Sequence, residues 1–254
     1  MSGELLLSPY LIILLFFFIA LIYSSVGLGG GSSYTALMAI LGFGTTAIPM
    51  ISLSLNLVVT SIGSVQFIRQ GHGRLKLILP FLITSVPMSY LGGALQLPKA
   101  VFYWLLFVSL LFVAARIYLW QETAFKLQLN QRQMFLAALL SGSLLGLVSG
   151  IVGIGGGIYL VPLIIIFGLG SGKEAAAAGA VFTFINSLAG LVSRLQYNRV
   201  EMTEYLPLLA AVIAGGLIGS YIGAVRFSPK TLEKVLGVII LAAILALGRR
   251  LISS

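Results

Sequence analysis

The chain has 254 residues, of which 59% are hydrophobic and only 8% are charged. Soluble domains contain about 25% charged residues, so this composition indicates a multi-pass membrane protein and excludes a soluble domain of any size. The net charge of +9 comes from basic residues at the ends of apolar segments, where they set orientation and meet lipid headgroups rather than nucleic acid. With no cysteine and one histidine, His72 in a loop, we expect no disulfide, no metal site and no cofactor.

Eight apolar segments are long enough to span a bilayer. They lie at residues 9–26, 46–68, 76–96, 99–120, 132–151, 174–194, 204–226 and 229–250. The first has neither a basic region before it nor a small-residue cleavage site, so it is predicted to be a membrane segment and not a signal peptide. Two shorter segments, 33–43 and 158–168, cover about half the hydrocarbon thickness and predict half-helices or re-entrant arms.

A glycine string precedes each short segment. Residues 26–34 read VGLGGGSSY, and residues 152–159 read VGIGGGIY. Glycine weakens a helix interior by about 1 kcal/mol per residue, and bare backbone at membrane depth is tolerated only where it is packed in protein or lines a polar cavity. The two strings therefore predict two broken helices at equivalent places, which is the layout of a duplicated transporter.

The two halves of the chain match beyond the glycines. The matched pairs, in the same order in both halves, are Asn56 with Asn186, Gln66 with Gln196, Pro80 with Pro207, Gly92–Gly93 with Gly219, and Pro98 with Pro229. We predict an all-α polytopic membrane protein of two sequence-related repeats, residues 1–120 and 132–254, joined by a loop at 121–131. Each repeat contains four transmembrane helices and one half-helix.

The relative orientation of the repeats has two solutions. If each half-helix returns to its own side, the repeats are inverted and both termini lie outside; if only the four long segments cross, the repeats are parallel and both termini lie inside. The positive-inside rule does not decide, because both arrangements divide the fifteen Lys and Arg residues ten to five, with loops 69–76 and 116–132 on the basic, cytoplasmic face. Broken helices occur most often in inverted repeats, which favours that arrangement.

The two glycine strings, the short apolar arms after them, Asn56 and Asn186 in the next segment, and the repeated Pro-Lys helix starts carry a family resemblance. The chain resembles the TauE/SafE family of sulfite and sulfonate exporters, also called the toluene sulfonate uptake permease family, over about residues 9–250. The resemblance implies secondary transport of small, often sulfur-containing anions such as sulfite, sulfoacetate or aryl sulfonates, in a bacterial or archaeal plasma membrane.

The glycine strings suit an anion. A glycine string before a short helix exposes N–H groups at the helix N-terminus, where the dipole adds about half a positive charge. Two such termini near the midplane would form a pocket for a tetrahedral or pyramidal oxyanion; the alternative is that the glycines only permit close helix packing. The predicted substrate-binding residues are Gly29, Gly30, Gly31, Ser32, Ser33, Asn56, Gly155, Gly156, Gly157 and Asn186.

Several side chains of this set have competing roles. Ser32 and Ser33 stand where a helix cap belongs and could donate to oxyanion oxygens or cap the arm. Asn56 and Asn186 offer amide donors without a permanent charge, although a lone membrane Asn is often a helix–helix contact. Residues 158–159, Ile-Tyr, align with Ser32 and Ser33, so the two half-sites are not equivalent.

Five further residues are candidates for the pathway or gate. Tyr34 and Tyr159 follow the glycine strings and could line the pocket. Gln66 and Gln196 lie near helix ends, where interfacial hydrogen bonding is the alternative. Arg194 comes eight residues after Asn186 and could attract cargo or gate the pathway, with a snorkelling headgroup anchor as the alternative.

The predicted function is a secondary transporter of small anions working by alternating access, not an enzyme. A passive anion channel, or a carrier of a non-sulfur organic anion, is the alternative. No acidic residue lies deep in a segment and the chain has no Asp, so coupling would use boundary glutamates, the protonation of the cargo or the membrane potential. The sequence leaves open the cargo, the direction of transport, a coupling proton and the oligomeric state.

Overall fold

The computed structural model describes residues 8–26, 29–69, 71–119, 129–197, 202–223 and 229–252, and within these ranges the regular structure is entirely helical. The α-helices are α1 (Pro9–Val26), α2 (Gly31–Ile40), α3 (Ala47–Arg69), α4 (Leu79–Ala94), α5 (Lys99–Leu119), α6 (Gln131–Val152), α7 (Gly157–Ile166), α8 (Gly172–Tyr197), α9 (Leu206–Gly223) and α10 (Pro229–Ile252). Short 3₁₀ turns at Leu75–Leu77 and Met202–Tyr205 precede α4 and α9. Most of the predicted connecting loop, and positions 27, 28 and 199, lie outside the described residues.

Every predicted segment coincides with a helix. In the described chain, four helices are long and apolar enough to cross a membrane by length and composition: α3 over Ala47–Gln66, α5, α6 and α8. The half-helices α2 and α7 have 10 residues each. They begin at Gly31 and Gly157, slightly before the predicted positions, because the last glycine of each string already adopts helical geometry.

Glycine ends both half-helices in the same way. Gly42 and Gly168, with φ angles of +78° and +63°, follow the C-cap residues of α2 and α7. The N–H groups of Phe43 and Leu169 then donate back to carbonyls five residues earlier, at 3.0 Å in both cases. This is the Schellman arrangement, which satisfies carbonyls at a helix end and needs a residue that tolerates the left-handed conformation.

Small residues let two pairs of helices run side by side in the same direction. A methyl group on Gly142, Gly146 or Gly150 of α6 would collide with a backbone carbonyl of α4. A methyl group on Gly215 or Gly219 of α9 would likewise collide with a carbonyl of α1. Such close approach is the usual basis of helix association in membranes.

Two other pairs of helices run antiparallel. In the α3–α8 pair, Leu53 lies against Gly190, while Thr60 and Thr183 both lie around Gly29. In the α5–α10 pair, the hydroxyl of Tyr118 donates to the carbonyl of Lys234 at 2.9 Å. At the other end of that pair, Arg250 lies 4.4 Å from the ring centroid of Tyr103.

The contacts define two ends of the bundle. At the first, which we call the Arg74 end, Arg74 forms a 3.1 Å ion pair with Glu174 in the first turn of α8. At the second, the Gln96 end, the amide of Gln96 donates to the carbonyl of Tyr197 at 3.3 Å. Since α4 begins at the Arg74 end and finishes at Ala94, the two ends lie on opposite faces.

The half-helices are the most enclosed part of the described chain. Residues 31–39 of α2 are all buried, as are seven residues of α7. In α5, by contrast, only eight of 21 residues are buried, and Trp104 and Phe112 are exposed. Because exposed apolar side chains on a membrane helix face lipid, the interior of the protein is centred on the two broken regions.

Candidate anion site at the two helix breaks

The two breaks use glycine for different reasons. In the second break, Gly153 ends α6, and Gly153, Gly155 and Gly156 all have φ angles between +84° and +89°. An L-residue pays a steric penalty in that conformation. In the first break, Gly30 precedes α2 with a φ of −82°, which any residue adopts.

Close approach explains the glycines of the first break. A methyl group on Gly31 would collide with the carbonyl oxygen of Ile154, so the start of α2 rests directly on the second break. A methyl group on Gly29 would come within 2.9–3.1 Å of Thr60, Asn56 and Thr183. The first break therefore lies in the crossing of α3 and α8, in contact with the second.

Asn56 joins the two breaks. Its amide nitrogen donates to the carbonyls of Gly153 and Ile154, at 3.3 Å each, and Ser52 on the same face of α3 donates to Gly153 at 2.7 Å. Two carbonyl neighbours fix which end of the amide is the nitrogen. Both N–H groups of Asn56 are thus used within the protein, and the oxygen faces the other way, towards Gly29.

Asn186 has a different environment from Asn56. Its amide nitrogen donates to the carbonyl of Phe182 on its own helix at 2.9 Å, and its backbone carbonyl accepts a 2.8 Å hydrogen bond from Ser89. The side-chain oxygens of both asparagines are fully buried and have no hydrogen-bond partner among the described residues. Buried polar atoms are usually satisfied, so these two oxygens mark places where a donor is missing.

Three hydroxyl-bearing residues at this crossing were missed by the sequence analysis. Thr183 accepts the N–H of Gly157, the first residue of α7, at 3.0 Å. Ser187 is fully buried, has no hydrogen-bond partner in the described chain, and lies beside Gly155. Thr60 donates to the carbonyl of Asn56 at 2.6 Å. Thr60 and Thr183 lie four and three positions from Asn56 and Asn186 and share their helix faces, so that spacing was the available signal for the two threonines. Ser187 directly follows Asn186 and had no such signal.

The serines of the first string do not cap α2. The preceding residue is Gly30, so Ser32 and Ser33 lie inside the first turn, and their hydroxyls each lie 3.0 Å from the hydroxyl of Tyr23 on α1. The prediction that they stand at the cap is therefore wrong by two positions, because the helix begins inside the glycine string. Tyr34 folds back instead, with its ring against Gly30 and its hydroxyl buried without a partner among the described residues.

The remaining pathway candidates lie away from the crossing. Tyr159 donates to the carbonyl of Ser109 on α5 at 3.2 Å, so its hydroxyl points out of the break. Gln196 is exposed and accepts a hydrogen bond from Tyr90, which fits interfacial hydrogen bonding, the alternative role considered for it. Gln66 is half-buried near the end of α3.

Arg194 is buried, with 5% of its surface exposed, so it is not a snorkelling anchor. Its guanidinium donates to the carbonyl of Gly150 at 2.9 and 3.1 Å and to that of Ile151 at 2.6 Å. These carbonyls belong to the last turn of α6, where a cation interacts favourably with the helix dipole. Arg194 thus stabilises the end of the helix that leads into the second break.

The donor set of this region is suited to an anion rather than a metal. No group of three or more His, Cys, Asp or Glu side chains that could hold a metal occurs in the described residues. The crossing instead combines two helix starts with hydroxyl and amide groups, all from uncharged residues.

The chain is similar to known membrane proteins over most of its length. The family model described as "Sulfite exporter TauE/SafE" matches residues 12–247. The chain is 37% identical to a "Probable membrane transporter protein y4hK" of Sinorhizobium fredii (strain NBRC 101917 / NGR234), over 90% of this chain and 93% of that protein. It is 27% identical to a "Probable membrane transporter protein YjnA" of Bacillus subtilis (strain 168), over 91% of this chain and 96% of that protein. No solved structure gives a significant match.

Proposed function

We propose that this chain is a secondary carrier of small sulfur oxyanions or organosulfonates. It belongs to the sulfite exporter TauE/SafE family and is a multi-pass membrane transporter of the plasma membrane. The observation that carries the proposal is the contact between two broken helices, where the start of α2 lies on Ile154 and Asn56 bridges to Gly153 and Ile154. Two helix N-termini at one point attract an anion without a charged side chain that would trap it.

The packing supports inverted repeats. The matched helices α3 and α8 run antiparallel, as do α5 and α10, whereas parallel repeats would make matched helices run the same way. Matched contacts recur: Gly92 lies against the carbonyl of Leu147, and Gly219 against that of Leu21. Both features fit two halves related by a two-fold axis in the membrane plane.

The ion pair between Arg74 and Glu174 also favours inversion. Parallel repeats would put Lys173 on the face opposite Arg74, whereas the ion pair brings residues 74 and 174 to one end. With the positive-inside rule, we therefore propose that the Arg74 end faces the cytoplasm and the Gln96 end faces the outside.

We assign the contacts to the anion as follows. The helix starts at Gly31 and Gly157 supply backbone polarity, and the hydroxyls of Tyr34 and Ser187, which have no partner among the described residues, supply donors. Asn56 cannot lend its N–H groups to the cargo without releasing two backbone carbonyls. Its oxygen, an acceptor, is best matched by an O–H on the cargo itself.

Of the proposed cargoes, a proton-bearing sulfur oxyanion such as hydrogen sulfite satisfies both kinds of group, whereas a sulfonate group has no O–H at neutral pH. The bare oxygens of hydrogen sulfite accept from the hydroxyls and helix starts, while its O–H donates to the oxygen of Asn56. The proton then crosses with the cargo, which requires no carboxylate relay in the protein. Flux should therefore rise as the pH on the loading side falls, and a flux independent of pH would contradict this part of the proposal.

The decisive experiment is counterflow in liposomes that contain the purified protein. Vesicles preloaded with unlabelled sulfite should accumulate labelled sulfite transiently, with a saturable initial rate, and taurine, sulfoacetate and sulfate should be compared as competitors. Non-saturable flux without counterflow would indicate the channel alternative. Counterflow with an organic carboxylate but with no sulfur anion would keep the carrier and reject the cargo.

The orientation of the repeats is tested by side-specific labelling, for which the absence of native cysteine is an advantage. Single cysteines at positions 74 and 173 should react with an impermeant maleimide from one side of the membrane, and a cysteine at position 96 from the other. Labelling of 173 from the same side as 96 would establish parallel repeats.

A further inference from the structure

A polar cavity of about 180 Å³ lies at the Gln96 end, outside the crossing of the two breaks. Its lining includes two threonines, Thr45 and Thr46, together with Gln96, Phe102, Ile151 and Arg194. The rim residues Thr46, Leu95 and Gln96 are exposed, whereas Phe102, Ile151 and Arg194 are 4–6% exposed. The cavity therefore runs from the surface down to a buried floor.

The floor of the cavity lies next to the second break. Ile151 is in the last turn of α6, two residues before Gly153, and its carbonyl accepts a hydrogen bond from Arg194. The guanidinium is held by the carbonyls of Gly150 and Ile151, so its position is fixed. The floor of the cavity is therefore formed by the helix end that leads into the second break.

The lining favours an anion. Among the residues that the structure describes, Arg194 is the one charged member of the lining, and two threonines and a glutamine contribute polar groups without adding charge. A positive charge behind low-dielectric walls attracts anions over a longer range than the same charge on an open surface. The volume accommodates a small oxyanion with a few water molecules, which also keeps the guanidinium hydrated.

The charge is present in only one half. Asn186 is followed eight residues later by Arg194, whereas Asn56 is followed eight residues later by Ser64. Ser64 is buried and its hydroxyl has no partner in the part of the chain that the structure describes. The matched position of the other half is therefore neutral.

We propose that the cavity above Arg194 is a one-sided vestibule that collects small oxyanions at the Gln96 end before they reach the glycine breaks. The inference rests on the proposed anion transport and adds an electrostatic difference between the two faces. Arg194 contributes charge rather than a two-point clamp, since its Nε and one terminal nitrogen already donate to α6. The vestibule lowers the KM for anions that load from the Gln96 end and leaves loading from the Arg74 end unchanged.

The test compares sulfite KM in right-side-out and inside-out membrane vesicles. Thr46→Glu and Thr46→Lys change the charge of the exposed rim without touching the carbonyls that Arg194 binds. Thr46→Glu should raise the KM at the Gln96 end by about threefold to tenfold, and Thr46→Lys should lower it. The effect is moderate because water and salt partly screen a unit charge at the exposed rim. Arg194→Gln should raise the same KM by about tenfold or more. The matched control, Arg74→Gln, removes an exposed cation from the opposite end and should leave this KM unchanged.

The salt dependence separates an electrostatic role from a structural one. The KM of the native protein at the Gln96 end should rise with ionic strength, and Arg194→Gln should flatten that dependence, whereas loss of a helix cap alone would lower kcat or stability at every salt concentration. Changes of equal size at both ends, or none in a folded Thr46→Glu protein, would overturn the vestibule.

Failure of the cargo assignment would look different. If no sulfur anion is transported, the proposed function is wrong, and the vestibule is decided by thermal shift of the purified protein in sulfite and sulfate. Apparent dissociation constants that are unaltered in both Thr46 variants, or an absence of any shift, would then reject the vestibule as well.

Discussion

The two glycine breaks share a sequence but not a structure. At the second break the chain turns through glycines in the left-handed conformation, and Arg194 fixes the end of the preceding helix. At the first, Gly30 has an ordinary negative φ, and glycine is needed because the start of α2 rests on the backbone of Ile154. Glycine is thus needed for its backbone conformation in the second break and for its lack of a side chain in the first.

This difference shows how a duplicated motif becomes asymmetric. The contact between the breaks is itself asymmetric, because Asn56 reaches across to the opposite break, whereas Asn186 bonds to its own helix. The side chains that each half can offer to a cargo therefore differ.

The largest effect that tests this comparison is expected for Gly155→Ala against Gly29→Ala. At Gly155, alanine must adopt a φ of +89° and also meets the methyl group of Thr183 at 2.5 Å. The left-handed conformation costs about 1–2 kcal/mol and overpacking about 1–3, so Gly155→Ala should lose about 2–5 kcal/mol of stability. In Gly29→Ala the cost comes from packing alone, so the free energy of unfolding should fall by about 1–3 kcal/mol. Thermal unfolding in detergent, with transport in liposomes, measures both.

Gly42→Ala is the control for the backbone contribution. Gly42 has a φ of +78°, and a methyl group there meets no atom within 4 Å. The free energy of unfolding of Gly42→Ala should fall by about 1–2 kcal/mol, which is the cost of the left-handed conformation alone. A Gly29 variant less stable than the Gly155 variant would show that the left-handed turn is not the distinguishing feature of the second break.

The next effect in size concerns the two asparagines. Asn56→Ala leaves the carbonyls of Gly153 and Ile154 without their buried donor, which should cost about 1–3 kcal/mol. Asn186→Ala removes a bond to a carbonyl within its own helix and should cost less than about 1 kcal/mol. Both are measured by thermal unfolding.

Asn56→Asp sharpens the result. It keeps the shape and the oxygen but has no N–H to donate, so it should be at least as destabilised as Asn56→Ala. A fully stable Asn56→Asp protein would instead mean that the carbonyls of Gly153 and Ile154 do not need the amide, which leaves its N–H groups able to donate to the cargo. In that case the proposed proton-bearing oxyanion would lose its main support.

The sequence predicted the helices well, because apolar length, glycine strings and proline starts are local signals. It also predicted Asn56 as a buried polar group near the breaks, since an amide in a long apolar run has few other uses. The direction in which that amide points could not be predicted, because it depends on carbonyls about 100 residues away in the chain. The surroundings of Arg194 could not be predicted for the same reason, because its partners are the last carbonyls of α6, and the sequence left both a pathway role and a headgroup anchor open.

The smallest effect separates the two tyrosines that follow the breaks. Tyr159→Phe loses a hydrogen bond to the carbonyl of Ser109, so it should cost about 1 kcal/mol of stability and leave the sulfite KM unchanged. Tyr34→Phe removes a buried hydroxyl without a partner among the described residues, so the protein should be as stable as before or slightly more so. If that hydroxyl donates to the anion, the KM of Tyr34→Phe should nevertheless rise severalfold. A stable Tyr34→Phe protein with native KM would remove Tyr34 from the site and leave the helix starts and Ser187 as the donors at the crossing.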